Sequence, residues 1–304
     1  MTKRDYLTVD SLTSEELAKV LDVADEFKRD RRPRDDLAGK SIGMIFEKPS
    51  TRTRISFEVG IAELGGHPVI LNASELQLGR GETLEDTARV LSRYLHAVVV
   101  RTFAQSRLEM LAAAGTIPVI NALSDFTHPC QALADLQTIR EHRGGLEGLK
   151  LAYLGDGNNV VHSLLKAGAL AGMRVAIGSP AGYEPIPQVV DQATRIAAHT
   201  GGDVFCTADP LEAAADADVV YTDVWASMGQ EGEAAARTML FRPFQVNRQV
   251  MDAAKPDALV MHCLPAHRGE EISADVIDGP NSVVFDQAEN RLHSQKALLT
   301  FLLT

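Results

Sequence analysis

The chain has 304 residues, enough for two cores, and its 45% apolar and 23% charged fractions are those of a globular protein in water. A formal charge of −11 disfavours nucleic acid as a partner, because a duplex binder shows a basic face; a small anion in a locally basic pocket stays compatible with it. No apolar run reaches the roughly 18 residues of a membrane span, and the first residues lack a signal peptide's apolar core. Cys130, Cys206 and Cys263 are too few and too far apart for a disulfide framework or a zinc site. The expectation is a cytoplasmic protein of enzyme size that binds neither membrane nor nucleic acid.

Taken in order, a Thr13-Ser-Glu-Glu16 capping box opens a helix, with Leu17, Val20, Leu21, Ala24 and Phe27 at helical spacing. Strand-like runs follow at 41–46, 67–71, 96–101 and 117–121, separated by helical stretches near 52–64, 84–95 and 105–114, with a further helix at about 130–142. The turn-rich segment Arg143-Gly-Gly-Leu-Glu-Gly148 marks a boundary. Beyond it, strands are expected near 151–155, 173–178, 203–206, 218–222, 258–262 and 282–285. Helices are expected near 159–170, 187–199 and 210–216, and a last helix over Arg291–Leu303. This alternation predicts an α/β protein of two domains, each an open parallel sheet flanked by helices. Ligands of such sheets sit beyond the carboxyl ends of the strands, where the unusual residues of this chain collect.

Ser50-Thr-Arg-Thr-Arg54 falls where strand 41–46 gives way to a helix. Free N–H groups and the positive end of the helix dipole face one way there, beside two hydroxyl residues and two guanidinium groups that suit a phosphate. The residues alone also fit a plain hydroxyl cap on a solvated helix. Arg101 ends the strand His96–Arg101, and His128-Pro-Cys-Gln131 opens the helix after strand 117–121, with Pro129 at the first helical position. His128 and Gln131 can donate to a carbonyl or amide; a capping histidine is the plainer alternative.

Gly155-Asp-Gly-Asn-Asn159 lacks the third glycine of a dinucleotide fingerprint, since Val160 stands at that position, so a nicotinamide site is disfavoured. Asp223-Val-Trp-Ala-Ser-Met-Gly229 follows strand 218–222 and offers a carboxylate and a hydroxyl to an amino acid head group, or is a solvated loop. Cys263, in His262-Cys-Leu-Pro265, ends a very apolar strand, as a packed thiol or as a functional one beside Asp223.

Together Ser50–Arg54, His128–Gln131, Asp223–Gly229, His262–Pro265 and Glu289-Asn-Arg-Leu-His-Ser-Gln-Lys296 resemble the aspartate/ornithine carbamoyltransferase family, in order and over the whole chain. The first two motifs are common to carbamoyltransferases; the Ser-Met-Gly loop with His-Cys-Leu-Pro resembles the ornithine branch. The resemblance implies a carbamoyl-phosphate domain at 1–136, joined by a C-terminal helix at 287–304, and an ornithine domain at 137–286. It implies homotrimers with sites at subunit boundaries, no metal and no organic cofactor. It places Ser50, Thr51, Arg52 and Thr53 on the phosphate, and Thr53, Arg101, His128 and Gln131 on the carbamoyl group, with Arg291 and the carbonyls of Cys263 and Leu264 assisting. Asn159, Asp223, Ser227 and Met228 are implied to bind ornithine, and Gln77 to reach a neighbouring subunit's phosphate. Where some relatives carry a longer polar or basic residue this chain has Gly81, and Arg80 is the candidate to replace it. Arg101, His128, Asp223 and Cys263 are the implied catalytic set, a biosynthetic role in making arginine is favoured over a degradative one, and the resemblance implies a cis Leu264–Pro265 bond.

Overall fold

The computed structural model describes residues 3–72, 81–226 and 234–304. They form two compact units, Met1–Gln137 with Glu289–Thr304, and Thr138–Ala288. In the first, α1 (Ser14–Arg29) starts at the expected capping box: Thr13 Oγ1 accepts from Glu16 N–H, and Glu16 accepts from Thr13 N–H at 2.9 Å. Its Leu17, Val20, Leu21, Ala24 and Phe27 stripe is buried. Then follow β1 (Ser41–Phe46), α2 (Thr51–Glu63), β2 (His67–Asn72), α3 (Leu84–Tyr94), β3 (Ala97–Arg101), α4 (Gln105–Ala114), β4 (Val119–Leu123) and α5 (Pro129–Arg143).

The four strands form a parallel sheet in the order β2-β1-β3-β4. Ile45, Val98, Val100 and Val119 of the sheet pack with Ala88 of α3 and Leu108 and Leu111 of α4. Each Ile, Val or Leu among them taken from water stabilises by about 1.5–3 kcal/mol, which explains why the strands read as continuous apolar runs. The chain leaves β1 toward β2 on one side and returns to β3 on the other, so the β1/β3 edge is a topological switch point. One pairing was not legible in the sequence: Tyr6 bridges Ile120 in parallel fashion on the free side of β4, and Asn121 N–H donates to Tyr6 O at 2.8 Å.

In the second unit, β5 (Lys150–Leu154), α6 (Asn159–Leu170), β6 (Arg174–Gly178), α7 (Pro187–Thr200), β7 (Asp203–Thr207), α8 (Pro210–Ala214) and β8 (Val219–Thr222) come first. After them are α9 (Ala234–Phe241), α10 (Arg248–Ala253), β9 (Leu259–His262) and α11 (Ala274–Ile277); α12 (Val284–Leu303) begins in this unit and belongs to the first from Glu289 onward. The sheet is parallel in the order β7-β6-β5-β8-β9, and its switch point lies between β5 and β8. Ala152, Leu154, Ala176, Val220 and Val260 of the sheet pack against Ala213, Val250, Ile272 and Val276.

The strand expected at 282–285 is a correction. Ser282 makes a single bridge to Val260, and α12 begins at Val284, earlier than the expected Arg291. Gln287 N–H already donates to Val283 O at 2.9 Å, and Asp286 supplies the negative charge that suits a first helical turn. A short β-branched run does not by itself distinguish the end of a strand from the start of a buried helix. The short helices α9, α10 and α11 also carry too few turns to show a periodicity. Among the described residues no helix is long and apolar enough to cross a membrane.

Candidate active site

Phe46, Arg101 and Leu123 end β1, β3 and β4 side by side, so Arg101 and the loops bearing Ser50 and His128 lie at the same edge of the first sheet. Ser50 is the N-cap of α2, its Oγ accepting from Thr53 N–H at 3.3 Å. Thr51 and Arg52 are exposed in the first turn, where backbone N–H groups point outward. Arg54, also exposed, turns along the helix to Glu58 at 3.7 Å and stands apart from this group.

Thr53, Arg101, His128, Gln131 and Arg291 are buried. Arg291 of α12 joins two of the others: Nη2 donates to Thr53 Oγ1 at 3.1 Å and Nη1 to Gln131 Oε1 at 2.7 Å. Gln131 Nε2 donates in turn to Asp135 Oδ1 at 2.8 Å. His128 sits just ahead of α5, its carbonyl accepting from Gln131 N–H. Burial, and then the positive charges of Arg291, Arg101 and Arg52, hold its imidazole well below the usual value of 6.5, so the ring is neutral near pH 7. Cys130, next to it, is packing: its Sγ donates to Asn121 O at 3.3 Å, and burial pushes the thiol up to about 12.

At the switch point of the second sheet, the loops after β5, β8 and β9 bring Asn158, Asp223 and Cys263 together. Thr222 and His262 are register partners, so the residues that follow them are adjacent. Asp223 Oδ1 accepts from Cys263 Sγ at 3.0 Å and from Val224 N–H at 2.9 Å, and Oδ2 accepts from Asn158 Nδ2 at 3.0 Å. Asn158 is pinned as the N-cap of α6, its Oδ1 accepting from Val160 and Val161 N–H. The sequence singled out Asn159, which opens α6 and whose carbonyl accepts from Ser163 Oγ; the contact to Asp223 comes from its neighbour.

His262 N–H donates to Gln287 Oε1, its Nδ1 accepts from Leu264 N–H at 2.9 Å, and its Nε2 lies 3.1 Å from Glu271 Oε1. An accepting Nδ1 places the ring proton on Nε2. Leu264 has φ +57° and the Leu264–Pro265 bond is cis, as the resemblance implies. Donor atoms of Asp223, His262 and Cys263 lie within 4.8 Å of one another, but both His262 nitrogens are engaged by Leu264 and Glu271, and Cys263 by Asp223.

Gly157 has a local reason. A Cβ there would meet Pro185 N and Glu184 C at 2.3 Å, so this glycine admits the close approach of the 184–185 backbone. Arg237 was not legible in the sequence. It is buried, donates to Asp156 Oδ2 at 2.8 Å and Trp225 O at 2.9 Å, and lies over the Tyr183 ring. It thereby ties the loop after β5 to the loop after β8. Gln77, Arg80, Ser227 and Met228 lie outside the described residues. Gly81 is described, at φ +107°, a backbone that disfavours any longer side chain there.

The carbamoyl-P binding domain of aspartate/ornithine carbamoyltransferase matches residues 4–141, and the Asp/Orn binding domain of the same family matches 147–302. The ornithine carbamoyltransferase of Parafrankia sp. (strain EAN1pec) is 66% identical, over all of this chain and 97% of that protein. A solved ornithine carbamoyltransferase from Pyrococcus furiosus superposes with a TM-score of 0.96 at 55% identity, covering 99% of this chain and 97% of that one. The anabolic ornithine carbamoyltransferase of Campylobacter jejuni gives 0.93 at 39% identity, with 98% of both chains covered. With two parallel sheets, an anion-suited helix start at one switch point and a carboxylate–thiol pair at the other, the chain belongs to the aspartate/ornithine carbamoyltransferase family.

Proposed function

We propose that the protein is an ornithine carbamoyltransferase that converts carbamoyl phosphate and L-ornithine to L-citrulline and phosphate, acts as a homotrimer and serves the biosynthetic direction. The observation that carries the substrate is the second switch point. Asp223, held by Asn158 and Cys263, offers a carboxylate to a cationic substrate. None of the described residues in the loops 155–158, 223–226 and 263–265 is a cation that would receive the second carboxylate of aspartate. The names of the relatives at 66% and 56% identity support ornithine, and "anabolic" in the name of the Pyrococcus furiosus protein supports the direction.

The reaction forms a bond from the δ-nitrogen to the carbamoyl carbon and breaks the bond from that carbon to the phosphate oxygen. The amine loses a proton that the departing phosphate can take. A lysine-like amine with a pKa of about 10.4 is neutral in only about one molecule in 2,500 at pH 7, worth roughly 4–5 kcal/mol against attack. Asp223 and Cys263 orient that nitrogen. Ser50, Thr51, Arg52 and Thr53 hold the phosphate, whose leaving charge Arg52 offsets. Arg101, Thr53 and His128 receive the charge that develops on the carbonyl oxygen, and Gln131 and Arg291 complete the carbamoyl site. A neutral His128 presents an N–H without an added ion, matching its depressed pKa. Asn159, with Ser227 and Met228, holds the α-amino and α-carboxylate groups.

A colorimetric ureido-product assay with carbamoyl phosphate tests this reading, run against ornithine, aspartate and putrescine in parallel. Ornithine is expected to react far faster than either competitor. Equal or greater turnover with aspartate or putrescine would overturn the assignment.

A further inference from the structure

The phosphate-side helix is tied to α12 by Gln295, a residue of the Glu289–Lys296 motif to which the resemblance gives no role. Gln295 lies four residues after Arg291, on the same face of α12, and its side chain is fully buried. Its Oε1 accepts from Arg291 Nε at 3.2 Å and from Nη2 at 3.0 Å. Its Nε2 donates to Ser56 Oγ at 2.7 Å, and Ser56 Oγ donates to Thr53 O at 3.2 Å, one turn below the Ser50–Thr53 cap. The amide orientation is fixed by chemistry. A guanidinium has donors only, so a turned amide would set its N–H groups against Arg291 and its oxygen against Ser56.

We propose that Gln295 is a positioning residue for carbamoyl-phosphate binding: it aims the Arg291 guanidinium at Thr53 and Gln131 while placing no negative charge of its own against it. The proposal rests on the carbamoyl-phosphate reading of the first unit. Two features carry it. Gln295 takes the edge of the guanidinium formed by Nε and Nη2, which turns Nη1 to Gln131 Oε1 and a second Nη2 N–H to Thr53 Oγ1. A glutamine is also the neutral acceptor of this shape. A glutamate would give the same two hydrogen bonds but cancel the charge that a phosphate dianion needs. The link to Ser56 couples this aim to α2, the helix whose start forms the cradle.

Two variants separate charge from geometry. Gln295→Glu keeps both acceptor contacts to Arg291, and the Ser56 hydroxyl can turn from Thr53 O to the new carboxylate. Gln295→Leu removes the acceptor at similar volume. Binding of carbamoyl phosphate and of inorganic phosphate is read by calorimetry, with KM for each substrate at saturating co-substrate and a thermal melt for each variant. Both variants are expected to weaken carbamoyl-phosphate binding at least about tenfold, the worth of one hydrogen bond to a charged group, with KM for ornithine unchanged and the Gln295→Glu melt at or above that of the unaltered protein. Wild-type affinity in Gln295→Glu would overturn the proposal by showing that the glutamine is only structural, even where Gln295→Leu fails to fold. A rise in both KM values together would overturn it equally. Failure of the unaltered protein to bind carbamoyl phosphate would instead defeat the functional reading beneath it.

Discussion

Replacing Asp223 by Asn changes one atom and tests both the geometry and the charge of the second switch point. Asp223 accepts three hydrogen bonds: Cys263 Sγ and Val224 N–H at Oδ1, and Asn158 Nδ2 at Oδ2. An asparagine presents one oxygen and one NH2. If the NH2 takes the Oδ2 position it meets the Asn158 NH2, which cannot turn away because Asn158 Oδ1 caps Val160 and Val161. If it takes the Oδ1 position it meets the Val224 N–H. Either way a half-buried donor loses its acceptor, at a cost of about 1 kcal/mol, the low end for an unsatisfied group. For a unit of this size that lowers Tm by about 2–4 °C per kcal/mol. The lost charge removes in addition a charge-assisted contact to the substrate amine, about 1.5–3 kcal/mol, or roughly 10- to 150-fold in ornithine affinity. Scanning calorimetry reads the first effect, and steady-state kinetics with ornithine varied at saturating carbamoyl phosphate reads the second. An Asp223→Asn protein with unchanged Tm and unchanged KM for ornithine would refute the argument from hydrogen bonds and the argument from charge together.

Arg52→Ala should lower kcat/KM for carbamoyl phosphate by about 100- to 1,000-fold while the melt stays put, because Arg52 is exposed in the first turn of α2. Arg52→Lys should recover little, since a point charge does not reproduce a planar fork; calorimetric binding at full strength in Arg52→Ala would reduce the motif to a helix start. The Cys130 thiol gives a pH prediction with a definite sign. Its pKa is raised from 9.0 to about 12 in the folded protein, so above pH 9 the unfolded chain gives up a proton that the fold retains. Stability from this group is therefore intact below pH 9 and is lost as pH climbs toward 12, by about 1.4 kcal/mol per unit. Cys130→Ala should flatten urea-derived stability between pH 9 and 11 by that slope relative to the unaltered protein, and parallel curves would show that burial does not hold the thiol neutral.

Much of the architecture was legible because both sheets are parallel and their inner strands are covered on two faces. Strands such as Ala97–Arg101 are then apolar throughout, and their ends are marked by the first polar residue, here Arg101 itself. The legibility failed where length or register carried the signal. The run Ser282–Phe285 has the composition of a strand, yet only Ser282 pairs, and the helix it was separated from begins at Val284. Tyr6 pairs with Ile120 through backbone alone, and a one-residue bridge leaves no period to read.

The site divides in the same physical way. Ser50, Arg101, His128, Asp223 and Cys263 stood out because each lies at the carboxyl end of a strand or in the loop that follows it, where an unusual polar residue has few structural reasons to be. Arg237 did not, Asn158 stood out only as one of two asparagines opening a helix, and Gln295 only as a member of the Glu289–Lys296 motif, because each occupies a helix position or helix cap where its residue type is unremarkable. Asn158 looks like any N-cap, and its second duty toward Asp223 depends on a residue far along the chain. Arg237 follows three alanines in a short helix, and only the fold shows that its guanidinium closes on Asp156 and Trp225. Gln295 lies in an apolar-periodic helix, where a buried amide reads as a lapse in the pattern until Arg291 on one side and Ser56 on the other are in place. The residues proposed to touch a ligand are conspicuous because ligand chemistry restricts their type and the sheet edge restricts their place. The residues that aim them answer only to local geometry, so several residue types would serve at each position and the sequence alone carries little trace of the choice.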